Sequence, residues 1–292
     1  MPAIIKPLGG KHAISNVLFV FEFAAPLPPP AFEELRDGTE LHELLKADLP
    51  RVVEQQQMMM MNFPPQMAGE HHVFAPPFGA PFGAPFAPSG MISGIAFDRI
   101  KPNGEPALSV NIQSNALMII CGEYVRWANL WAEVKNYLEI LSEFLGDAQF
   151  SGLSLQYTDA FKVSFQRGDK LPLTDLFSET SRFVPSNISQ IHDAFHSHHG
   201  FFSEPKFDLG GKLLTNVNVN VNELASVFDV QITTVHKYQL SAMFSPVESS
   251  GALNQKMEAV FQYLHDENKV VVGDLLTNQV KESISFNSTR PE

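Results

Sequence analysis

Residues 216–222 read NVNVNVN, an unbroken alternation of asparagine and valine. Successive side chains of a β-strand point to opposite faces of a sheet, so the pattern predicts a strand with valines on one face and asparagines on the other. The sheet that contains this strand should bury one face and keep the other polar. An antiparallel sheet with one solvated face has this character.

Alternation of the same kind continues outward along the chain. It predicts two further long strands in the second half, near 153–165 and 230–240, and one near the amino terminus at 17–23. The apolar residues on alternate positions of these strands are Val17, Phe19, Phe21 and Phe23; Leu153, Leu155, Tyr157, Phe161, Val163 and Phe165; and Val230, Ile232, Tyr238 and Leu240. A hairpin around Pro102, Asn103 and Gly104 and a strand at 116–121, buried on both faces, are also predicted.

A second periodicity predicts the helices. Between Trp127 and Leu145 apolar residues recur every three or four positions, and Gly146 supplies a stop. Weaker patterns predict helices at about 32–46, at 253–264 and after Asp274. Gly38 weakens the middle of the first of these, because glycine is unfavourable inside a helix.

The two halves of the chain, 1–150 and 151–292, show the same order of elements. Each runs strand, helical segment, three strands and long helix. This order predicts an α+β fold of antiparallel sheets backed by helices, as a duplicated unit with one sheet in each half. We expect the halves to pack as one globular unit.

A low-complexity insert interrupts the first half at 54–90. It contains runs of glutamine and methionine and a repeat, APPFGAPFGAPF, at 75–86. Proline cannot donate to a β-ladder or continue a helix, so the segment is predicted to be a loop or polyproline stretch between elements. Two interpretations remain open, a tolerated insertion and an apolar segment that packs on its own domain or on a partner.

Bulk composition excludes several classes of function. The chain has 292 residues, 20 basic against 32 acidic side chains and a formal net charge of −12, which disfavours nucleic-acid binding. Its single cysteine cannot form an intrachain disulfide, which fits a reducing compartment. The amino terminus lacks a signal-peptide pattern and no apolar run is long enough for a membrane span, so we expect a cytoplasmic protein without membrane contact.

Several short motifs resemble those of a sporadically distributed prokaryotic family of about this length that has no assigned function. The motifs are GIAFDRI at 94–100 with Pro102 and Gly104, CGEYVRW at 121–127, YTDAF at 157–161, GGKH at 9–12 and LH at 264–265. The resemblance covers most of the chain outside the insert. It implies a patchily inherited bacterial protein, and it supplies no substrate and no catalytic residue.

Two polar residues interrupt the apolar faces of predicted strands. These are Asp159 and His236. A buried carboxylate costs several kcal/mol unless it is paired, so Asp159 needs a partner, for which His236 and Arg126 are candidates. One interpretation is a structural ion pair. The other is a ligand pocket between sheet and helix formed by Glu123, Arg126, Asp159 and His236.

Histidines cluster at 192–199. His192 and His196 would share a face on a helix, whereas His196 and His198 would share a face on a strand. A zinc site needs further ligands, and the segment offers only Asp193 nearby. A metal site of His192, His196 and His198 is therefore the weaker interpretation, and a polar loop entering a strand is the stronger one.

Three functional hypotheses follow. The first is a non-enzymatic interaction protein that contacts itself or a protein partner through the insert or the C-terminal helix; patchy inheritance suggests, by analogy alone, a mobile-element or phage-defence setting. The second is a small-ligand binding protein that uses the neighbourhood of Arg126, Asp159 and His236. The third is a metal-dependent hydrolase. The chain has no phosphate-binding loop, dinucleotide fingerprint or nucleophile elbow, so a non-enzymatic role is favoured and no cofactor is expected.

Overall fold

The computed structural model describes residues 4–56, 92–146, 148–164, 171–205, 210–224, 227–247 and 253–286. The insert from 57 to 90 lies outside the described residues. The described strands are β1 (Ile4–Pro7), β2 (Ile14–Phe23), β3 (Arg51–Gln56), β4 (Ile92–Ile100), β5 (Pro106–Gln113), β6 (Ala116–Cys121), β7 (Phe150–Ser164), β8 (Phe195–Ser203), β9 (Gly211–Leu224) and β10 (Val227–Phe244). The α-helices are α1 (Glu40–Asp48), α2 (Trp127–Ile140), α3 (Leu173–Leu176), α4 (Gln255–Leu275) and α5 (Asn278–Ser283), with short 3-10 helices at Pro29–Glu33 and Ile188–Gln190.

All ten strands belong to one antiparallel sheet, in the order β3-β4-β5-β6-β2-β7-β10-β9-β8, with β1 also paired to β7. The α+β class is confirmed, but the expected pair of sheets is replaced by a single one. The reason is that β2 from the first half pairs with β7 from the second, from Ile14 opposite Asp159 to Phe23 opposite Phe150. Because β2 and β7 pair with each other, neither half has an unpaired strand edge at the centre of the sheet.

The strand order is nearly symmetric about the β2–β7 pair. From this centre the order is β6, β5, β4 on one side and β10, β9, β8 on the other, and β3 is an additional outer strand of the first half. The long helices α2 and α4 each follow the strand that flanks the centre. The repeated order expected from the sequence is thus present in the topology, within one shared sheet.

The helices cover one face of the sheet. Alternate residues of β2 and β7 point into a core that also contains the buried faces of α2 and α4, and Phe19, Leu155 and Phe261 in it are fully buried. In the predicted NVNVNVN strand the three valines are buried and the asparagines are partly to fully exposed. The inward and outward assignment of that strand is confirmed.

Two local predictions change. The helix expected at 32–46 begins only at Glu40, because Gly38 has a φ of +87° and Thr39 caps the helix by accepting a hydrogen bond from the backbone N–H of His42. The expected insert boundary at residue 54 falls inside β3, which pairs with β4 up to Gln56 opposite Ile92.

None of the described helices combines the length and apolar composition of a transmembrane span.

The register of β3 and β4 predicts that the insert is dispensable for folding. The residues on either side of it are already neighbours across an antiparallel ladder, so a short Gly/Ser linker in place of residues 57–91 can join them. Closing a much shorter loop should leave the free energy of unfolding unchanged or raise it by about 1–2 kcal/mol. Urea titration followed by circular dichroism tests this. An insoluble variant, or one that unfolds without cooperativity, would contradict it.

Candidate functional site

A loop between two strands forms one wall of the candidate site. β1 and β2 pair one after the other with the same edge of β7, and between them Leu8 N–H donates to Ala160 O at 2.9 Å and Ala160 N–H donates to Ala13 O at 2.8 Å. Residues 9–12, GGKH, therefore leave the sheet opposite a single residue of β7. Gly10 has a φ of +78°, which glycine adopts without strain.

This loop borders a cavity of about 640 Å³ between β7, α2 and α4. A volume of this size is typical of small-molecule sites. The described polar and aromatic residues that line it are Lys11, His12, Tyr124, Arg126, Trp127, Tyr157, Asp159, Gln262, His265, Asn268, Lys269, Ser285 and Phe286. The site therefore combines one carboxylate with several basic and aromatic groups.

Asp159 is the single carboxylate among the described residues that line the cavity, and its side chain is almost completely buried. Burial raises the pKa of Asp159 from 3.8 to about 7. No residue that the structure describes forms an ion pair or hydrogen bond with its carboxylate. The expected pairing is therefore wrong for the described part of the chain: His236 lies opposite Leu155, four residues along β7, and Arg126 precedes α2 on another wall.

The amino-terminal end of α2 adds positive potential to the cavity. Arg126 is the N-cap residue, with an extended φ of −151°, and it makes no side-chain capping bond. The first turn of α2 carries no acidic residue, so its backbone dipoles are not offset by a negative charge of the helix. Lys11 and Lys269 line the same cavity. The Tyr124 hydroxyl lies near Asp159, and burial raises the pKa of Tyr124 to about 12, so this hydroxyl stays protonated.

Another part of the lining is an aromatic wall whose side chains are held by contacts with one another. The rings of Trp127 and His265 stack at 4.3 Å with an interplanar angle of 2°, and Trp127 Nε1–H donates to Gln262 Oε1 at 2.8 Å. The Tyr157 hydroxyl lies 2.8 Å from His265 Nδ1. Burial lowers the pKa of His265 to about 4, so its ring is neutral near pH 7. Contacts of this kind hold the wall in place without a ligand, which reduces the entropy cost of binding.

The structure brings together two of the four predicted ligand residues. Arg126 and Asp159 both line the cavity, whereas Glu123 does not. His236 is fully buried away from it, 3.3 Å from Thr215 Oγ1, and burial lowers its pKa to about 4.

Sequence reasoning missed most of the cavity lining. Lys11, His12 and His265 lie inside motifs noted for the family resemblance, but no ligand role was assigned to them. Nothing in the sequence marks Lys269 as a ligand residue, because lysines are common on the polar face of an amphipathic helix.

The histidine cluster adopts the strand alternative. His192 lies in a loop before β8, and His196 and His198 occupy alternate positions of that strand, where His198 Nδ1 contacts Asn218 Oδ1. Among the described residues, the group with metal-ligand spacing contains none of these three histidines. The structure therefore gives the hydrolase hypothesis no assembled site in this segment.

The raised pKa of Asp159 predicts a specific pH dependence of stability. Between about pH 4 and pH 7 the native state holds a proton that the unfolded chain has released, so this group lowers the free energy of unfolding as pH rises through that window. Asp159→Asn removes the effect. The loss of stability between about pH 5 and pH 8 should be smaller in the variant by about 2–3 kcal/mol.

Urea titrations at the two pH values measure this difference. Asp175→Asn, which changes an exposed carboxylate, is the matched control and should retain the wild-type slope. Equal slopes for wild type and Asp159→Asn would show that Asp159 is ionised and stabilised by a partner.

No protein-family model matches the chain, and no curated protein matches it. The family resemblance stays a prediction, and the function has to be inferred from the geometry of the cavity.

Proposed function

We propose that the protein binds a small molecule carrying both a hydrogen-bond donor, such as an amino group, and an anionic group. The observation that carries the proposal is Asp159, a buried carboxylate that faces a cavity and has no described partner. An unpaired buried carboxylate costs stability, and a bound donor group would recover that cost as binding energy. The cavity therefore favours a ligand that completes the site.

The basic side of the cavity supports the anionic part of the ligand. Arg126 and Lys269 line it together with the first turn of α2, where backbone N–H groups and the helix dipole favour a negative charge. A carboxylate or phosphate placed there would be separate from a donor group bound at Asp159 within the same cavity. Small zwitterions, such as amino acids or aminated phosphate esters, have this separation of charge.

The aromatic wall supports a role in binding. Trp127 and His265 present stacked rings whose orientation is fixed by Gln262 and Tyr157. Flat, preorganised surfaces of this kind add affinity by excluding water from the charged contacts. The proposal therefore involves recognition and no bond-breaking step.

Calorimetric titration with a panel of amino acids and aminated phosphates tests the proposal. A ligand identified in this way should bind Arg126→Gln and Asp159→Asn at least about tenfold more weakly than wild type, because each substitution removes one charged contact. Wild-type affinity should also fall as pH drops below about 7, because binding requires the ionised Asp159.

The matched control is Lys135→Gln. Lys135 is a cation on the same helix as the Arg126 cap, but it pairs with Glu258 outside the cavity. This variant should bind like wild type. A ligand that binds all variants equally would place the site elsewhere and contradict the proposal.

A second candidate function, self-association, is favoured by the outer edge of β8. β8 is the last strand in the sheet order, so this edge pairs with no described strand. Phe201 and Phe202 are 42% and 57% exposed on it. An unpaired strand edge that carries exposed apolar side chains is a template for antiparallel pairing with the same strand of a second copy.

The edge hypothesis predicts a dimer that depends on Phe202. Phe202→Lys should shift the protein toward monomer without lowering its thermal midpoint, because the side chain is largely exposed. Met243→Lys, at an exposed apolar residue of β10, is the control and should leave the dimer intact. Sedimentation velocity distinguishes the species. A wild-type protein that is monomeric at high concentration would refute the hypothesis.

A further inference from the structure

The loop before α1 and the first turn of that helix contain a second arrangement of polar groups, separate from the cavity. His42 is buried, and its Nδ1 lies 2.9 Å from the carbonyl oxygen of Leu35. A carbonyl oxygen only accepts hydrogen bonds, so Nδ1 carries the hydrogen. In the neutral ring the lone pair is then on Nε2, which is the tautomer that metal-binding histidines adopt when their other nitrogen is anchored.

Nε2 of His42 faces acidic groups. It lies 3.3 Å from Asp37 Oδ1 and makes no hydrogen bond of acceptable geometry among the described residues. Glu43 joins them, and one ligand atom from each of the three side chains lies within 4.8 Å of the others. A nitrogen lone pair and two carboxylates this close together favour a cation between them.

The spacing matches a four-coordinate metal. Zinc bonds to nitrogen and oxygen measure about 2.0–2.2 Å, which in a tetrahedron places neighbouring ligand atoms about 3.4 Å apart. The distance of 3.3 Å between His42 Nε2 and Asp37 Oδ1 has this value before any rearrangement. Glu43 follows His42 directly, its side chain is exposed, and one of its carboxylate oxygens lies within 4.8 Å of the ligand atoms of Asp37 and His42.

The backbone holds these residues in place. Gly38 turns the chain at a positive φ, and the Thr39 hydroxyl lies at hydrogen-bond distance from the carbonyl oxygen of Arg36, 3.1 Å away, while it also caps α1. The His42 ring packs against the Phe97 ring with centroids 5.4 Å apart. The fold therefore fixes the position of the His42 ring and of the backbone that carries Asp37.

We propose that Asp37, His42 and Glu43 form an open binding site for a divalent transition-metal ion, with Zn²⁺ as the best fit and water at the remaining position. The competing arrangement is an imidazolium–carboxylate pair of His42 with Asp37. Lys46, whose Nζ lies 3.8 Å from Asp37, is the local cation that opposes the metal. The two arrangements respond differently to the removal of Glu43 and Lys46.

The test uses the full chain, treated with chelator, in a His196→Ala/His198→Ala background that removes two exposed histidines of β8. Titration with ZnCl₂ should show one bound ion per chain. Co²⁺ should give the visible absorption bands of a four-coordinate site. Asp37→Asn and Glu43→Gln, both exposed side chains, should each weaken Zn²⁺ binding at least about tenfold.

Two further variants make the result decisive. Lys46→Gln should tighten Zn²⁺ binding severalfold, since it removes a like charge beside the ion. Glu40→Gln, on the same helical turn but outside the group, should bind like the parent. Absence of stoichiometric binding, or Zn²⁺ binding that survives Glu43→Gln, would overturn the proposal and leave the ion pair. Circular dichroism of each variant verifies that the fold is intact.

Discussion

The structure depends on the pairing of β2 with β7. This contact joins the two halves of the chain, and the residues directly opposite each other include Phe19 with Leu155 and Phe21 with Leu153. The same faces carry the core under α2 and α4, so the pairing aligns the apolar surfaces of both halves in one plane. A slip of one residue here would turn the apolar face of one strand to the opposite side of the sheet from that of its partner.

The candidate cavity is a consequence of the same alignment. β7 is longer than β2, so its last residues pair with β1 instead, and the chain must cross from one strand to the other opposite Ala160. The crossing places Lys11 and His12 beside Asp159. Burial raises the pKa of Asp159 to about 7, and perturbed groups of this kind that face a cavity are candidates for functional sites.

Much of the fold follows from sequence periodicity. The alternation at 216–222 and the helical spacing after Trp127 are strong local signals; the strand forms where predicted, and the helix begins where predicted but ends at Ile140, before the expected stop at Gly146. The joining of two expected sheets into one could not be predicted, because strand pairing between halves depends on long-range register and not on local pattern. β3 was missed because it is short, lies at an edge and runs directly into the insert.

The candidate site was only half predictable for a related reason. Asp159 could be predicted because its charge interrupts the apolar face of a strand. Arg126 could be predicted because it stands at the start of a clear helix. The sequence could not show that Asp159 and Arg126 do not pair, or that Asp159 has no described partner, because both depend on how the elements pack in three dimensions. His236 breaks its pattern equally, but Thr215 accommodates it in the core, and no feature of the sequence distinguishes the two cases.

The strand order is nearly symmetric about β2 and β7, but the two ends of this strand pair carry different side chains. At one end Asp159 lies opposite Ile14 and a cavity opens; at the related end Phe23 lies opposite Phe150, and their rings, with Phe244, fill the corresponding space. One end of the strand pair is therefore closed by aromatic side chains, and the other borders a cavity. Substitutions at the cavity end can change its lining while the aromatic end maintains the core.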